Sequence, residues 1–481
     1  MTFSCKTGSY TMTHVAARLP HLGAMILAIT TAAACQRSPE TASATQAPPQ
    51  TTLGATVALT GFRLIDGTGS APVENATLVI SEGRVREVGA GVQVPAGAQT
   101  IDMSGKTVIP GLISAHSHMV LQKSADPKFG EKWFDEHRTD PLEKQFYDLT
   151  RLDAEYGVTT VFSLGEAENR GFMEPSDVAA LKVFRDSQNR EGLDRARVFF
   201  VGGPPVSAGA KTGAEARANV LDRISKGANL IKLNLDDDTP PEVYIEAVDE
   251  AHKHGLKIVS HLATLAVAKG VIKAHGDAMA HSVRDKDIDA ELIALMKSNN
   301  AFQIPTLTQE QSNFMWASTP AFVTDPFFMK FAAPHKHKLD VLTSASNQTE
   351  WAQSPATANA RRGLAQAMRN VKILADAGIP IVMGTDSGGR LDAGRFPGFM
   401  EHEEMDLYFQ SGMTPMQIIV SATGGAARAM AIDKELGTLQ SGKWADFVVL
   451  NANPLDHFRN MRDINAVWIA GHPLRAAAGT E

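Results

Sequence analysis

Short runs of alternating apolar and polar residues open the interpretable part of the chain. Ala55-Thr56-Val57-Ala58-Leu59 and Ala76-Thr77-Leu78-Val79-Ile80 carry the two-residue period of half-buried strands, punctuated by the tight-turn pairs Asp66-Gly67 and Glu82-Gly83. The same texture returns at the far end, in Gly437-Thr438-Leu439 and in residues 445–450 and 466–470, around Gly442 and Gly471. Neither end segment is long enough to bury a good core alone. Residues 54–110 and 434–481 are therefore expected to pair into one small β-sandwich domain, split in sequence.

Over residues 111–433 the pattern changes: a helical stretch closes on a glycine turn, a short apolar run follows, and the unit repeats. The runs after Gly157 (Val158-Thr159-Thr160-Val161-Phe162), Gly227 (ending Leu230-Ile231-Lys232-Leu233), Gly255 (ending Ile258-Val259-Ser260-His261) and Gly378 (ending Met383-Gly384-Thr385-Asp386) are examples. Continuous apolar strands alternating with helices imply a parallel sheet buried on both faces. A repeat sustained this long favours a closed (β/α)8 TIM barrel over an open doubly wound sheet. The expected fold class is thus α/β, a barrel with a small β-sandwich formed from both chain ends.

The first residues have another layout. Arg18 precedes an apolar run over residues 23–34, small residues follow, and Cys35 closes the segment. Residues 1–35 read as an export signal, with an apolar run too short for a permanent membrane-spanning helix. Ala32-Ala33-Ala34-Cys35 resembles a bacterial lipoprotein cleavage site, with Ala32 where leucine is usual. Residues 36–53, rich in Ser, Thr, Pro, Ala and Gln, read as a flexible tether. Met12 is a second candidate start. The expectation is export to the periplasm, with a lipid on Cys35 anchoring the chain to the outer membrane as its one membrane attachment.

Composition narrows the chemistry. The net charge of -7 comes from interspersed residues without a basic stripe, which excludes nucleic acid as a partner. A small-molecule substrate is the expected partner, and homo-oligomerisation is left open. The only cysteines, Cys5 and Cys35, lie outside the folded body, so any metal must be held by His, Asp, Glu or Lys.

Such residues fall where the strands end. Leu112-Ile113-Ser114-Ala115 runs into His116 and His118, and other runs lead into His261, His281 and Asp386. In a parallel barrel those ends open onto one face, where barrel enzymes place their chemistry. His116 and His118, two apart on an extended strand, project the same way and can share a metal. Lys232 stands in an apolar run where a free ammonium is costly. Carbamylation by carbon dioxide would make it an anionic bridge between two metals; an ion pair with Asp236 or another carboxylate near the strand end is the alternative. His335 and His337, flanked by Lys336 and Lys338, read as solvated surface. His252 and His254 read as a helix end, and Asp236-Asp237-Asp238 as a polar loop.

Pro110-Gly111-Leu112-Ile113-Ser114-Ala115-His116-Ser117-His118, followed in order by Lys232, His261, His281 and Gly384-Thr385-Asp386-Ser387, resembles the amidohydrolase superfamily. Within it the chain is similar to exported Xaa-Pro dipeptidases, imidazolonepropionase-like proteins and ochratoxin-type amide hydrolases. The resemblance implies two divalent ions, zinc first, with manganese, cobalt or iron also fitting the donors. It places His116 and His118 on the more buried ion, His261 and His281 on the more exposed one, N6-carboxylysine at Lys232 between them, and Asp386 on the buried ion. The implied reaction is hydrolysis of a C–N bond in an N-acyl amino acid or dipeptide by a metal-bridging hydroxide, with Asp386 as general base and then acid.

Single-metal deaminases of this superfamily carry a glutamate shortly after the strand-five histidine; here Leu262-Ala263-Thr264 follows His261. A lactonase or phosphotriesterase shares the same site chemistry, and a non-catalytic, metal-stabilised binding lipoprotein is the alternative of another class. Specificity is expected in the loops after the strands. Residues 121–147 contain Phe129, Trp133, Phe134 and Phe146; residues 309–362 contain Phe314, Trp316, Phe322, Phe327, Phe328 and Phe331. These aromatics suit an apolar substrate group or a local core. Arg284 is a candidate for binding a substrate carboxylate, with Asp285 or Asp287 as alternative ion-pair partners, and His402 is a candidate substrate contact.

Overall fold

Strands from the two chain ends hydrogen-bond into one sheet. Its members are β1 (Val57–Leu64), β2 (Val73–Ser81), β3 (Arg84–Ala90), β4 (Gln99–Asp102), β5 (Thr107–Pro110), β13 (Phe447–Leu450), β14 (Ile464–Ile469) and β15 (His472–Pro473). The order is β15-β14-β13-β5-β1-β2-β3, with β4 paired to β1. The seam between the ends is antiparallel, Val448 opposite Ile109 and Val449 opposite Val108. Its apolar positions pack together, among them Leu59, Phe62, Leu78, Ile80, Phe447 and Trp468. This is what alternation at both ends requires, since each segment hides its apolar face only with the other present.

The computed structural model describes residues 51–119, 141–165, 175–332, 336–388 and 394–475, within a unit spanning residues 47–481. The expectations for residues 1–35, for most of the tether, and for Phe129, Trp133, Phe134 and His335 lie outside the described residues. Among the described residues no helix is long and apolar enough to cross a membrane.

The central region is mixed α/β with parallel sheets. β6 (Leu112–Ser117), β7 (Val158–Ser163) and β8 (Arg197–Phe200) form one sheet. β9 (Ile231–Asn234), β10 (Ile258–His261), β11 (Ala278–Ala280) and β12 (Phe302–Ile304) form another, in the order β12-β11-β10-β9. β6 and β7 are buried at every position, as continuous apolar runs demand. Between strands the helices start on polar caps: Thr212 with Glu215 closes a capping box, while Thr264 and Asp289 cap the helices Leu265–Lys273 and Ala290–Ser298.

Further hydrogen bonds run between the borders of these sheets. Asn229 N donates to Phe200 O at 2.8 Å, and Val206 N to Lys232 O at 2.9 Å. Residues 380–387 bond on both sides: Gln303 N donates to Pro380 O, Val382 N to Gln303 O, Ala115 N to Met383 O and Thr385 N to His116 O, at 2.8–3.0 Å. Gly384 permits this approach, because a Cβ there would lie 2.7 Å from both His116 N and Ile304 Cγ2.

Residues 309–362 are helical rather than an open loop, comprising most of Leu307–Ser312 and then Pro326–Ala332, Lys336–Leu342, Ala345–Gln353 and the start of Pro355–Asp376. Their aromatics form a local core. Trp316, Phe322 and Phe328 are buried against Phe396, Phe399 and Tyr156, with Phe327 packed alongside. Phe314 lies under the Arg361 guanidinium, and Phe146 belongs to the main core. Spaced along short helices, these rings satisfy one another, which removes most of them from the role of substrate contacts.

Candidate metal centre

The strand ends converge as the sequence order suggests. His116 is the fifth residue of β6 and His118 follows its end; His261 ends β10, and His281 follows the last residue of β11. Asp386 lies in the segment bridged to β6 through Ser117 and Ser387. Ligand atoms of His116, His281 and Asp386 lie within 4.8 Å of one another. Asp386 Oδ1 is 3.1 Å from His116 Nε2 and 2.8 Å from His118 Nε2. Lys232 Nζ is 3.4 Å from His116 Nε2, and the His261 and His281 rings meet edge-on with centroids 4.2 Å apart.

Outer contacts select which nitrogens face inward. His118 Nδ1 is 3.0 Å from Gly165 O, and His281 Nδ1 is 2.6 Å from Thr306 Oγ1, which leaves Nε2 of both rings for the centre. With its Nδ1–H donated to a carbonyl, a neutral His118 turns a lone pair toward a carboxylate oxygen at 2.8 Å. A proton or a cation between them resolves that repulsion, and the donor set of imidazoles and a carboxylate suits a divalent cation. Two residues of the group hold left-handed backbone, His281 with φ 63° and Asp386 with φ 62°. Each costs about 1–3 kcal/mol and persists only when its surroundings hold it.

The electrostatics favour ligands over acids. Burial, reinforced by Lys232, pushes His116 down to about 3 and His261 down to about 4, and burial takes His281 well below its ordinary value. The imidazoles thus keep their lone pairs at neutral pH. Desolvation pushes the Asp386 carboxyl up, but the close approach of His116 and His118 and the charge of Arg395 outweigh it and hold the group well below the usual carboxylate range. Lys232 is 4% exposed, and burial lowers its ammonium to about 7. Among the described residues it forms no ion pair with Asp236, whose carboxylate instead accepts from Thr239 Oγ1.

The other candidates divide. Arg284 N donates to Ala263 O at 2.8 Å, and its charge is felt at His261, so it stands beside the group. Its ion-pair partner is Glu310, not Asp285 or Asp287. His402 is not brought to the group: it is buried, its Nε2 donates to Tyr156 O at 2.8 Å, and Phe327 packs edge-on against its ring. Helix Phe399–Gln410 carries it into the local aromatic core, which corrects the expected substrate contact. His337 is exposed, and His252 and His254 end the helix Pro241–Lys253.

Several residues at the centre escaped sequence reasoning. Arg395 Nη1 donates to Asp386 Oδ2 at 2.6 Å, and its Nε to Ser312 Oγ at 2.9 Å. Glu404 accepts from Leu307 N and Thr308 N, both at 2.7 Å, anchoring the helix that follows Thr306. Glu401, beside His402, binds hydroxyls flanking the ligands. None stands at a strand end, so no periodic signal marks them.

This fold and donor group define a metal-dependent hydrolase. Residues 107–474 match the amidohydrolase family, and the chain belongs to it. It is accordingly a hydrolase acting on carbon–nitrogen bonds, in a metal-dependent family. A 5-methylthioadenosine/S-adenosylhomocysteine deaminase of Bacillus cereus is 23% identical over 429 residues, covering 85% of this chain and 87% of the deaminase. A Xaa-Pro dipeptidase with methionine bound in its active site superposes with TM-score 0.65 at 20% identity, covering 88% of this chain and all (100%) of the dipeptidase. Molinate hydrolase gives 0.65 at 21% identity, covering 88% and 95%, and ochratoxinase of A. niger 0.64 at 18%, covering 88% and 96%. At these identities the solved structures speak for the fold.

Proposed function

We propose that this chain is a two-metal amidohydrolase that cleaves the amide or peptide-type C–N bond of a small substrate, an N-acyl amino acid or dipeptide. The observation that carries the reading is the meeting of His116, His281 and Asp386 within 4.8 Å, with Lys232 against His116. Similarity to a Xaa-Pro dipeptidase, molinate hydrolase and ochratoxinase supports C–N hydrolysis of small molecules. In this reading the bonds joining residues 380–387 to β12 and β6, and Asn229 to β8, belong to a closed eight-stranded barrel, and the mixed-end sheet to a separate small β-sandwich.

His116 and His118 would hold one ion, His261 and His281 the other, and a carbamylated Lys232 both. When bound, the ions, zinc in our reading, supply an acidified water and a polarised carbonyl. Asp386 takes the proton of the attacking water and delivers it to the departing nitrogen, without which the amine is a poor leaving group. Arg395 holds the second carboxylate oxygen, so Oδ1 faces the histidines.

In this reading Arg284, already paired with Glu310, also receives the substrate carboxylate. It lines a cavity of ≈ 730 Å³ whose other walls, Glu310, Trp351 and Arg362 among them, come from the helical insertion. Arg284→Ala is expected to raise KM about tenfold or more for carboxylated substrates, the worth of a charge-assisted hydrogen bond, and to spare uncharged amides. An equal loss on both substrate classes would remove Arg284 from this role.

The reaction is tested by screening the exported form against N-acyl amino acids, dipeptides, lactones and phosphotriesters, with metal analysis alongside. Turnover of amides supports the proposal. Turnover confined to lactones or phosphotriesters overturns it, and bound metal without turnover points to a binding lipoprotein. Periplasmic location with a lipid on Cys35 is part of the same proposal. Cys35→Ala is expected to move the protein from the membrane to the soluble fraction, and an unchanged distribution would refute the anchor.

A further inference from the structure

We infer that Glu401 is a positioning residue that ties the Asp386 turn to the strand carrying His116. Its carboxylate oxygen Oε1 accepts hydroxyl hydrogen bonds from Ser114 at 2.9 Å, Thr385 at 2.8 Å and Ser387 at 3.0 Å. Ser114 lies two residues before His116, and Thr385 and Ser387 flank Asp386 on either side. Glu401 and all three donors are fully or almost fully buried, so water is not at hand to replace a lost partner.

The bonds converge on the backbone that most needs holding. Asp386 has left-handed φ, and its turn is closed by Ser387 N donating to Thr385 Oγ1 at 3.1 Å. That hydroxyl can accept from Ser387 because its own proton is committed to Glu401. Thr385 N and Asp386 N both donate to His116 O, at 3.0 and 2.9 Å. Glu401 therefore sets the orientation of the Thr385 hydroxyl and fastens the same two segments from another side. Among the described residues its hydroxyl donors are these three, so its effect passes through where Asp386 and His116 stand.

The inference rests on Asp386 and His116 being metal ligands, so its primary readout is zinc affinity by chelator competition, made without substrate. Glu401→Leu is expected to weaken zinc about 10–100-fold and to lower kcat over a similar range, with little change in KM. Glu401→Gln retains a carbonyl acceptor at the Oε1 position and should restore both values close to wild type. Thr385→Val, which removes the turn-closing hydroxyl, should shift zinc affinity and kcat in the same direction as Glu401→Leu. Wild-type zinc affinity in Glu401→Leu, or an equal loss in Glu401→Gln, overturns the proposal. Should Glu401→Leu fail to fold, Thr385→Val decides, and unchanged zinc affinity there overturns it equally. A wild-type chain that binds zinc but hydrolyses nothing refutes the proposed reaction while leaving the affinity comparison readable.

Discussion

Asp386→Asn is expected to lower kcat about 10²–10⁴-fold, the range spanned by a lost general acid–base group, while the protein keeps its metal. The amide keeps a single oxygen, which can face the centre while its NH2 takes the place of Oδ2, the atom Arg395 holds at 2.6 Å in the native protein. It cannot accept and return a proton. The surroundings already favour the ionised acid, since the close approach of His116 and His118 and the charge of Arg395 keep the carboxyl well below its usual range despite desolvation. Metal analysis beside steady-state kinetics checks this. Near-native turnover would exclude Asp386 as the proton carrier, and loss of metal together with turnover would make it a ligand only.

Lys232→Met should abolish turnover and reduce bound metal, because a thioether cannot form the carbamate that, in the proposed mechanism, would hold the ions. The same substitution separates function from stability. In metal-free, carbon dioxide-free buffer the folded lysine has its ammonium lowered from 10.5 to about 7 by burial. Between those values the unfolded chain binds more protons than the folded one, so native stability rises with pH and falls as pH drops toward 7. The methionine variant lacks that dependence and should be the more stable protein at neutral pH. Thermal unfolding across this window, compared with the native chain, tests the claim. A native protein whose stability is flat with pH would show that Lys232 meets a compensating partner.

The convergence of the donor residues was legible because each stands at a position that periodicity marks. His261 ends an apolar run, His281 follows one, and His116 and His118 sit two apart on a strand. Arg395 and Glu401 carry no such mark. Arg395 comes after a glycine-rich stretch and Glu401 in the first turn of a helix, and each acquires meaning only through Asp386, Thr385 and Ser387. His402 misled for the same reason: adjacency in sequence to the metal strands says nothing about which face of helix Phe399–Gln410 it occupies. The aromatic insertion was ambiguous, since rings that can line a pocket can equally bury one another, and here Trp316, Phe322 and Phe328 do the latter.

By itself the sequence determined the alternation of strand and helix, the donor residues and their order, because hydrophobic period and residue chemistry are local properties of the chain. Only the tertiary structure decided the register in which the two ends join, that Glu310 takes Arg284, and that one buried carboxylate gathers three hydroxyls around the Asp386 turn. Those outcomes depend on which surfaces meet after distant segments pack, and pairing across hundreds of residues leaves no periodic trace in either partner.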